Sequence, residues 1–362
     1  MEKSLLTNWI KVLLFFILSI AFLYLGREFL VPVALAGVLS MLLIPLNRWI
    51  ERKGANRVVS SICCVLVVLL AISSVCALII WQVSTFMEDM AQIKEQLSKL
   101  MLQVRQFVSN NLGISPPKQD ELVEQQQASD NGGGAMVGNV LNGLKGVLIN
   151  TVLVLVYIFL FLYFRTHFKK FILMLVPVSK KAETEIVIGE ASQVAQKYLS
   201  GLGLMVMILW IMYGIGFSII GIKNAIFFAV LCGLLEIVPF VGNIAGTAVT
   251  VLASFAQGAD SQLIMGILIT YGLVQFIQTY LLQPLIVGAE VHLNPVFTIL
   301  SLVAGEMIWG VGGLVLAIPL LGMFKIVCDH VEPLKPYGFL LGSEPNKKKS
   351  GDWMGKVKGW FK

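Results

Sequence analysis

Charged residues are scarce in this sequence of 362 amino acids. Asp, Glu, Lys and Arg together make up 13% of the chain, against about 25% in a typical soluble domain. Hydrophobic residues account for 57%, and the mean hydropathy is +0.83. This composition excludes an ordinary soluble protein. It predicts an all-α polytopic membrane protein with about eight transmembrane segments of the length that a bilayer requires.

The sequence also lacks the signatures of several enzyme classes. It has no G-x-x-x-x-G-K-[ST] loop, so ATP-driven pumping by this chain is not indicated. It has no H-E-x-x-H, G-x-S-x-G or G-x-G-D, the usual apparatus of metalloproteases and intramembrane proteases. The five cysteines all fall within apolar runs, which argues against a disulfide framework and a metal cluster. We therefore expect no enzymatic activity, no cofactor and no bound metal.

The net charge of +6 is unevenly distributed. The loop 47–57, the segment 165–198 and the tail after Lys325 are basic, whereas residues 82–145 carry five basic and seven acidic side chains. The positive-inside rule places the first three regions in the cytoplasm and the fourth outside. We interpret the basic excess as a determinant of membrane orientation, with both termini cytoplasmic, and not as a nucleic-acid site.

Apolar runs and the loops between them divide the chain into five regions. Full spans are predicted at roughly 9–25, 29–46, 58–81, 146–164 and 199–222, each near the length that crosses a bilayer. The regions are a three-span bundle (1–81), an extracytoplasmic amphipathic helical insert with a flexible linker (82–145), the fourth span with a cytoplasmic interfacial connector (146–198), a transport core (199–328) and a basic tail (329–362).

The outer insert begins with a heptad pattern of apolar residues. One interpretation is a helix that packs against its own copies in a homo-oligomer, and the other is an amphipathic helix lying on the spans or the membrane surface. The tail sets two tryptophans among lysines, a pattern that can bind anionic lipid headgroups. The heptad residues are Phe86, Met90, Ile93, Leu97, Leu100, Val104 and Phe107.

Two apolar runs near the C-terminus are too long for one span, and residues that break helices interrupt both. EIVPFVGNI begins at Glu236 and EMIWGVGGL at Glu306, so the two similar breaks lie 306 − 236 = 70 residues apart. If both runs are hairpins, they enter from opposite faces of the membrane. Secondary transporters use such inverted, broken helices to bind substrate and ion near the midplane. The breaks would be shaped by Pro239, Gly242, Gly312 and Gly313.

A carboxylate inside a membrane span is expensive and is a functional candidate by default. Glu236 and Glu306 have no basic residue close by in sequence. A carboxyl group in such a low-dielectric site can carry a proton near neutral pH or bind a cation; the alternative is a protonated glutamate with a structural hydrogen bond. Gln275 and Gln278 fall on one face of the span between the breaks, where they would either join helices or line a path.

The segments around these residues resemble the autoinducer-2 exporter family of bacterial membrane transporters. The resemblance covers most of the chain. The order of the matching segments and the spacing between them make it specific. One departure is Gln278, which stands where an acidic residue often ends a Q-x-x-E pattern and which weakens an ion-exchange interpretation. The matching segments are EIVPFVGNIAG (236–246), QPLIVGAEVHLNPV (283–296), GEMIWGVGGLVLAIPL (305–320) and LKPYGFLLG (334–342).

The resemblance implies a multi-pass protein of the bacterial inner membrane, driven by a gradient and assembled as an oligomer. We expect alternating-access export of a small polar metabolite such as autoinducer-2, with Glu236, Asn243, Asn294 and Glu306 forming the central site and a glutamate coupling transport to protons. The first alternative is a sodium or lithium antiporter that exchanges these cations for protons on the same architecture. The second is an oligomeric membrane scaffold.

Overall fold

The computed structural model describes residues 2–88, 132–238, 241–287 and 293–343. Within these ranges the chain is helical, apart from one isolated bridge between Leu293 and Gly342. The α-helices are α1 (Glu2–Leu25), α2 (Arg27–Arg52), α3 (Arg57–Glu88), α4 (Gly132–Met174), α5 (Lys181–Ile219), α6 (Ala225–Leu235), α7 (Val241–Ala256), α8 (Ser261–Ile277), α9 (Pro295–Trp309), α10 (Val311–His330) and α11 (Lys335–Leu341). A π-helix, Gln278–Val287, continues α8.

The predicted class, an all-α polytopic membrane protein, is confirmed. Six helices of the described part are long and apolar enough to cross a membrane, namely α2, α3, α4, α5, α8 and α10. Shorter apolar helices lie in α1, α6, α7 and α9. The side chains of α1 that point away from the protein are apolar and exposed, such as Phe15 at 68%. Such a surface is stable only against lipid or another apolar partner.

The long helix α5 is the centre of the bundle. It packs against α6 and α8 through a cluster that includes Leu209, Tyr213 and Phe228. Nearer its N-terminal end it meets α2 and α10 around Ala195 and Leu316. Because α5 runs without interruption from Lys181 to Ile219, the boundary that we predicted between residues 198 and 199 lies inside one helix.

A buried polar network joins α2, α3 and α4 at one end of the bundle. The guanidinium of Arg165 donates to Glu51 at 2.5 Å and to the amide oxygen of Asn47. Asn47 is fully buried and donates in turn to the hydroxyls of Ser60 and Ser61 at 3.2 and 3.3 Å. Each charged group therefore has a partner, which offsets the cost of removing it from water.

The first broken run forms a hairpin. The helix α6 ends at Leu235, the chain turns, and α7 runs back against α6. Backbone hydrogen bonds continue through the turn, with Val238 N–H donating to Leu235 at 2.9 Å and Gly242 N–H to Val238 at 3.0 Å. A side chain at Gly242 would overlap the Leu235 carbonyl, so only glycine allows this turn. Pro239 lies outside the described residues.

The second broken run is also a hairpin, made by α9 and α10. Its turn is at Gly310, where φ is +60°, a left-handed value that favours glycine. The two arms cross where Gly305 meets Gly313, and a side chain at either position would overlap the backbone of the other. Gly312 faces Val31 of α2. The turn is thus not at Gly312 or Gly313, which act in helix packing instead.

Several predictions fall on residues outside the described ranges. The outer insert is described only at its ends, so the heptad pattern and the oligomer interpretation that rests on it stay predictions. The tryptophan- and lysine-rich tail begins after residue 343 and stays a prediction in the same way.

We expect Arg165→Met to destabilise the protein. The substitution leaves the Glu51 carboxylate and the Asn47 amide without their shared donor, and the loss of a partly buried hydrogen bond to a charged group costs about 1.5–3 kcal/mol. The unfolding free energy in detergent measures the effect. Arg52→Met, on the exposed side of α2, is the control. An equal loss for the two variants would contradict the importance of the network.

We also expect Gly313→Ala and Gly242→Ala to disrupt their hairpins, because each added methyl group overlaps a backbone carbonyl. Overpacking of this kind typically costs about 1–3 kcal/mol. Gly272→Ala in α8 is the matched control, since nothing lies within 4 Å of the added atom. There, alanine is favoured over glycine by about 1 kcal/mol in a helix interior. Thermal stability of the three variants in one detergent tests the contrast.

Candidate functional site

Glu236 lies at the C-terminal end of a half-length helix. The helix α6 has 11 residues, so it rises about 16 Å, roughly half of the 30 Å hydrocarbon core. The indole of Trp210 in α5 donates to the carbonyl of Val230 at 3.1 Å. A side chain at Gly233 would overlap the Trp210 ring, so glycine lets α6 lie close to α5. These contacts hold the end of α6, and with it Glu236, beside α5.

Gln278 binds the Glu236 carboxylate directly. Its amide Nε2 donates to Glu236 Oε1 at 2.6 Å, across 42 positions of sequence. Gln278 is fully buried and is the first residue of the π-helix. A π-helix is rare, and short π segments often occur at functional sites because they shift side chains away from the α-helical register. The next polar side chains of this span, Thr279 and Gln283, are exposed.

Asn243 and Gln275 extend this polar group. Asn243, in the first turn of α7, donates its Nδ2 to the amide oxygen of Gln275 in α8. Gln275 donates in turn to the hydroxyl of Thr279 at 3.2 Å. We call the four side chains of Glu236, Asn243, Gln275 and Gln278 the Glu236 cluster. It joins both arms of the first hairpin to α8 and to the π-helix.

The cluster contains an excess of buried hydrogen-bond acceptors. Glu236 Oε2, Asn243 Oδ1 and Gln278 Oε1 are buried and have no hydrogen-bond partner among the described residues. The amide N–H₂ groups of Asn243 and Gln278 already donate within the cluster. An unpaired buried polar group costs about 1–3 kcal/mol. The arrangement can therefore accept hydrogen bonds from a solute, hold a proton on the carboxyl group, or coordinate a cation.

The structure brings together four of the six predicted binding residues and separates the other two. Asn294 is the N-cap of α9, and its side chain accepts from Val296 N–H at 3.0 Å. Its own N–H donates to Leu341 at 2.8 Å. Glu306 is exposed on α9. Neither side chain forms a hydrogen bond with the Glu236 cluster among the described contacts, so the second hairpin does not complete the site in this conformation.

A polar cavity lies at the basic end of the bundle, a feature that sequence reasoning missed. Its volume is about 600 Å³, and it is bounded by α2, α4 and the first turns of α5. The side chain of Lys169 pairs there with Glu185. The signal was present in the basic segments 47–57 and 165–198, which we had interpreted only as determinants of topology. The polar residues that line the cavity are Arg48, Arg165, Thr166, Lys169, Glu185, Glu190, Ser192, Gln193 and Gln196.

In the part of the chain that the structure describes, no three His, Cys, Asp or Glu side chains lie close enough together to hold a metal ion. Any cation at the Glu236 cluster would therefore be held by one carboxylate and by amide oxygens.

These observations define the class of protein. It is a multi-pass α-helical membrane protein with two broken helical hairpins, and the first hairpin contains a buried carboxylate and three amide side chains. The chain belongs to the AI-2E family transporters, whose sequence profile matches residues 13–332.

Relatives in other organisms extend over nearly the same length. The chain is 23% identical to YrrI of Bacillus subtilis over 84% of this chain and 87% of the relative. It is 21% identical to YhhT of Escherichia coli over 92% and 93% of the two chains. It is 25% identical to MT0215 of Mycobacterium tuberculosis over 82% and 81%. Each of the three carries the name "Putative transport protein".

We expect Gln278→Ala to lower stability, because it removes the donor to Glu236 and leaves a cavity. The loss of the buried donor alone should cost about 1–3 kcal/mol. Gln283→Ala, at an exposed position of the same π-helix, should change the unfolding free energy by less than about 0.5 kcal/mol. Denaturant unfolding in detergent compares them. Equal effects would show that the hydrogen bond to Glu236 contributes nothing.

Proposed function

We propose that this protein is a gradient-driven secondary transporter that exports a small polar metabolite such as autoinducer-2 by alternating access. The observation that carries the proposal is the Glu236 cluster at the tip of the first hairpin, where three buried acceptor oxygens have no hydrogen-bond partner among the described residues. Membership of a transporter family supports the general class. The cluster supports a solute rich in hydroxyl groups, because such a solute donates the hydrogen bonds that these oxygens lack.

Each member of the cluster has a separate role in the proposed mechanism. The free oxygens of Asn243 and Gln278 accept hydrogen bonds from solute hydroxyls. Glu236 binds a proton when it faces the outer side and releases it towards the cytoplasm, which couples export to the proton gradient. Gln278 donates to the carboxylate after proton release and stabilises its charge. Gln275 holds Asn243 in position.

The polar cavity offers an entrance from the cytoplasm. Gln196 of α5 lines this cavity. Val206 lies ten residues further along the same helix, a distance of about 15 Å along the helix axis. The Val206 carbonyl lies beside Gly233, three residues before Glu236. A solute in the cavity would therefore need to move about half the thickness of the hydrocarbon core to reach the cluster.

The same cluster favours a second candidate, a sodium or lithium antiporter that exchanges its cation for a proton. A carboxylate with neighbouring amide oxygens is a suitable ligand set for a monovalent cation at a helix break. An oligomeric scaffold has less support, because a scaffold gains nothing from unpaired acceptors at this depth. We further propose a location in the bacterial inner membrane, both termini in the cytoplasm, a homo-oligomeric assembly and contact with membrane lipids.

Proton movement in sealed proteoliposomes with a trapped pH dye tests the proposal. We expect autoinducer-2 to evoke proton flux in the unmodified protein and Glu236→Gln to reduce it to the level of empty liposomes, since the amide cannot carry a proton. Glu332→Gln is the matched control, because Glu332 is exposed and pairs with Lys335 on the surface. Proton flux evoked only by sodium or lithium would instead support the antiporter function.

Glu306→Gln, measured in the same assay, asks whether the second hairpin joins the transport cycle. In the structure Glu306 is exposed and separate from the Glu236 cluster. Loss of flux would place Glu306 in a conformation in which the two hairpins meet. No flux in the unmodified protein with autoinducer-2, sodium or lithium would overturn both transport candidates.

A further inference from the structure

A polar face extends along α7 beyond the Glu236 cluster. Its residues follow one another at intervals of four, three, four and three, which puts them on one side of an α-helix. From first to last they span 14 residues, or about 21 Å. The face therefore runs from the cluster to the end at which the hairpin enters the membrane. The residues are Asn243, Thr247, Thr250 and Ser254 of α7 and Gln257, which directly follows the last residue of α7 and whose N–H still donates to the Ala253 carbonyl at 3.1 Å.

The opposite side of α7 is apolar and exposed. Ile244 and Leu252 expose 68% and 69% of their surface, as expected of side chains that contact lipid. Ser254 on the polar face is only 3% exposed. The polar side chains thus point into the protein, against α6 and α8, and not into lipid.

The entrance end of the polar face carries free hydrogen-bonding groups. Ser254 Oγ and both amide atoms of Gln257 are buried without a hydrogen-bond partner among the described residues. Buried polar atoms are nearly always paired with protein, water or ligand. Three such atoms on adjacent turns therefore indicate a place that a polar molecule can occupy.

The middle of the face is closed by close packing. Thr247 and Thr250 donate to backbone carbonyls one turn earlier, at 3.1 and 2.8 Å. The Cys232 thiol lies 3.4 Å from the Thr250 hydroxyl. A side chain at Gly246 would come within 3.1 Å of Cys232 Cα. The packed layer formed by Cys232, Gly246 and Thr250 separates Ser254 and Gln257 from the Glu236 cluster.

We propose that this face of α7 is the extracytoplasmic half of the transport path, with a solute site at Ser254 and Gln257 outside a gate made of the packed layer. The inference rests on the proposed function, in which the Glu236 cluster is the central site. Ser254 and Gln257 each donate and accept hydrogen bonds and carry no charge. Asp260, the nearest acid along the chain, caps α8 by accepting from Leu263 N–H at 2.9 Å. The site therefore suits an uncharged, hydroxyl-bearing solute better than a bare cation.

Cysteine accessibility tests the path without any transport measurement. In a chain whose five cysteines are replaced by serine, single variants Ser254→Cys and Gln257→Cys are treated with a membrane-impermeant methanethiosulfonate. Ile244→Cys and Leu252→Cys on the lipid-facing side of α7 are the matched controls. We expect the path positions to react at least about tenfold faster, because a thiol in an apolar surrounding ionises less readily.

The side of access gives the second readout. Reagent added to intact spheroplasts should label Ser254→Cys and Gln257→Cys, whereas reagent added to inside-out vesicles should not. Labelling from the cytoplasmic side alone, or at the rate of the lipid-facing controls, would overturn the path. Because the assay needs no cargo, the path can be supported even if proton flux is absent and the proposed coupling fails.

Protection by solutes tests the proposed chemical class. Autoinducer-2 at saturating concentration should slow the labelling of Ser254→Cys severalfold, and an equal concentration of sodium chloride should not. An equal labelling rate with and without autoinducer-2 would overturn the proposed solute site. Protection by sodium chloride alone would indicate a cation site in its place.

Discussion

Backbone that leaves the helical conformation inside a membrane must find its hydrogen bonds within the protein, because lipid offers none. In the described residues of both hairpin turns, backbone N–H groups find acceptors within the turn itself. Val238 and Gly242 donate to carbonyls of the first turn, and Gly310 donates to the carbonyl of Glu306 at 2.7 Å in the second. Glycine at the close approaches lets each pair of arms pack tightly enough to bury these groups. The position of the candidate site follows from the first of these turns.

The first turn puts a carboxylate at the end of a half-length helix, where the next span must supply its partner. The change from α-helix to π-helix at Gln278 meets this need, because it keeps the amide of Gln278 buried against Glu236 while its neighbours turn outward. Asn243 and Gln275 complete the group. A design selected only for stability would fill this space with apolar side chains, so the unpaired oxygens that remain are the strongest indication of function.

The two hairpins are alike in backbone and different in chemistry. Each places a glycine of its second arm against a carbonyl of its first arm, Gly242 on Leu235 and Gly313 on Gly305. The first hairpin buries polar groups, whereas the second packs through its glycines and leaves Glu306 exposed. The repeated sequence therefore reflects a shared way for the chain to turn between two closely packed helices. In the proposed cycle the first hairpin carries the binding chemistry.

The amino-acid sequence by itself determined the class of protein and the two helix breaks, and it selected Glu236, Asn243, Gln275 and Gln278 as candidate site residues. These are local properties: apolar length, glycine and proline in a run, and a carboxylate where charge is costly. The tertiary structure decided which of these residues meet. It separated Glu306 and Asn294 from the cluster, moved the second turn to Gly310, introduced the π-helix and assembled the polar face of α7. Such features depend on how distant helices approach one another, which no local pattern in the chain specifies.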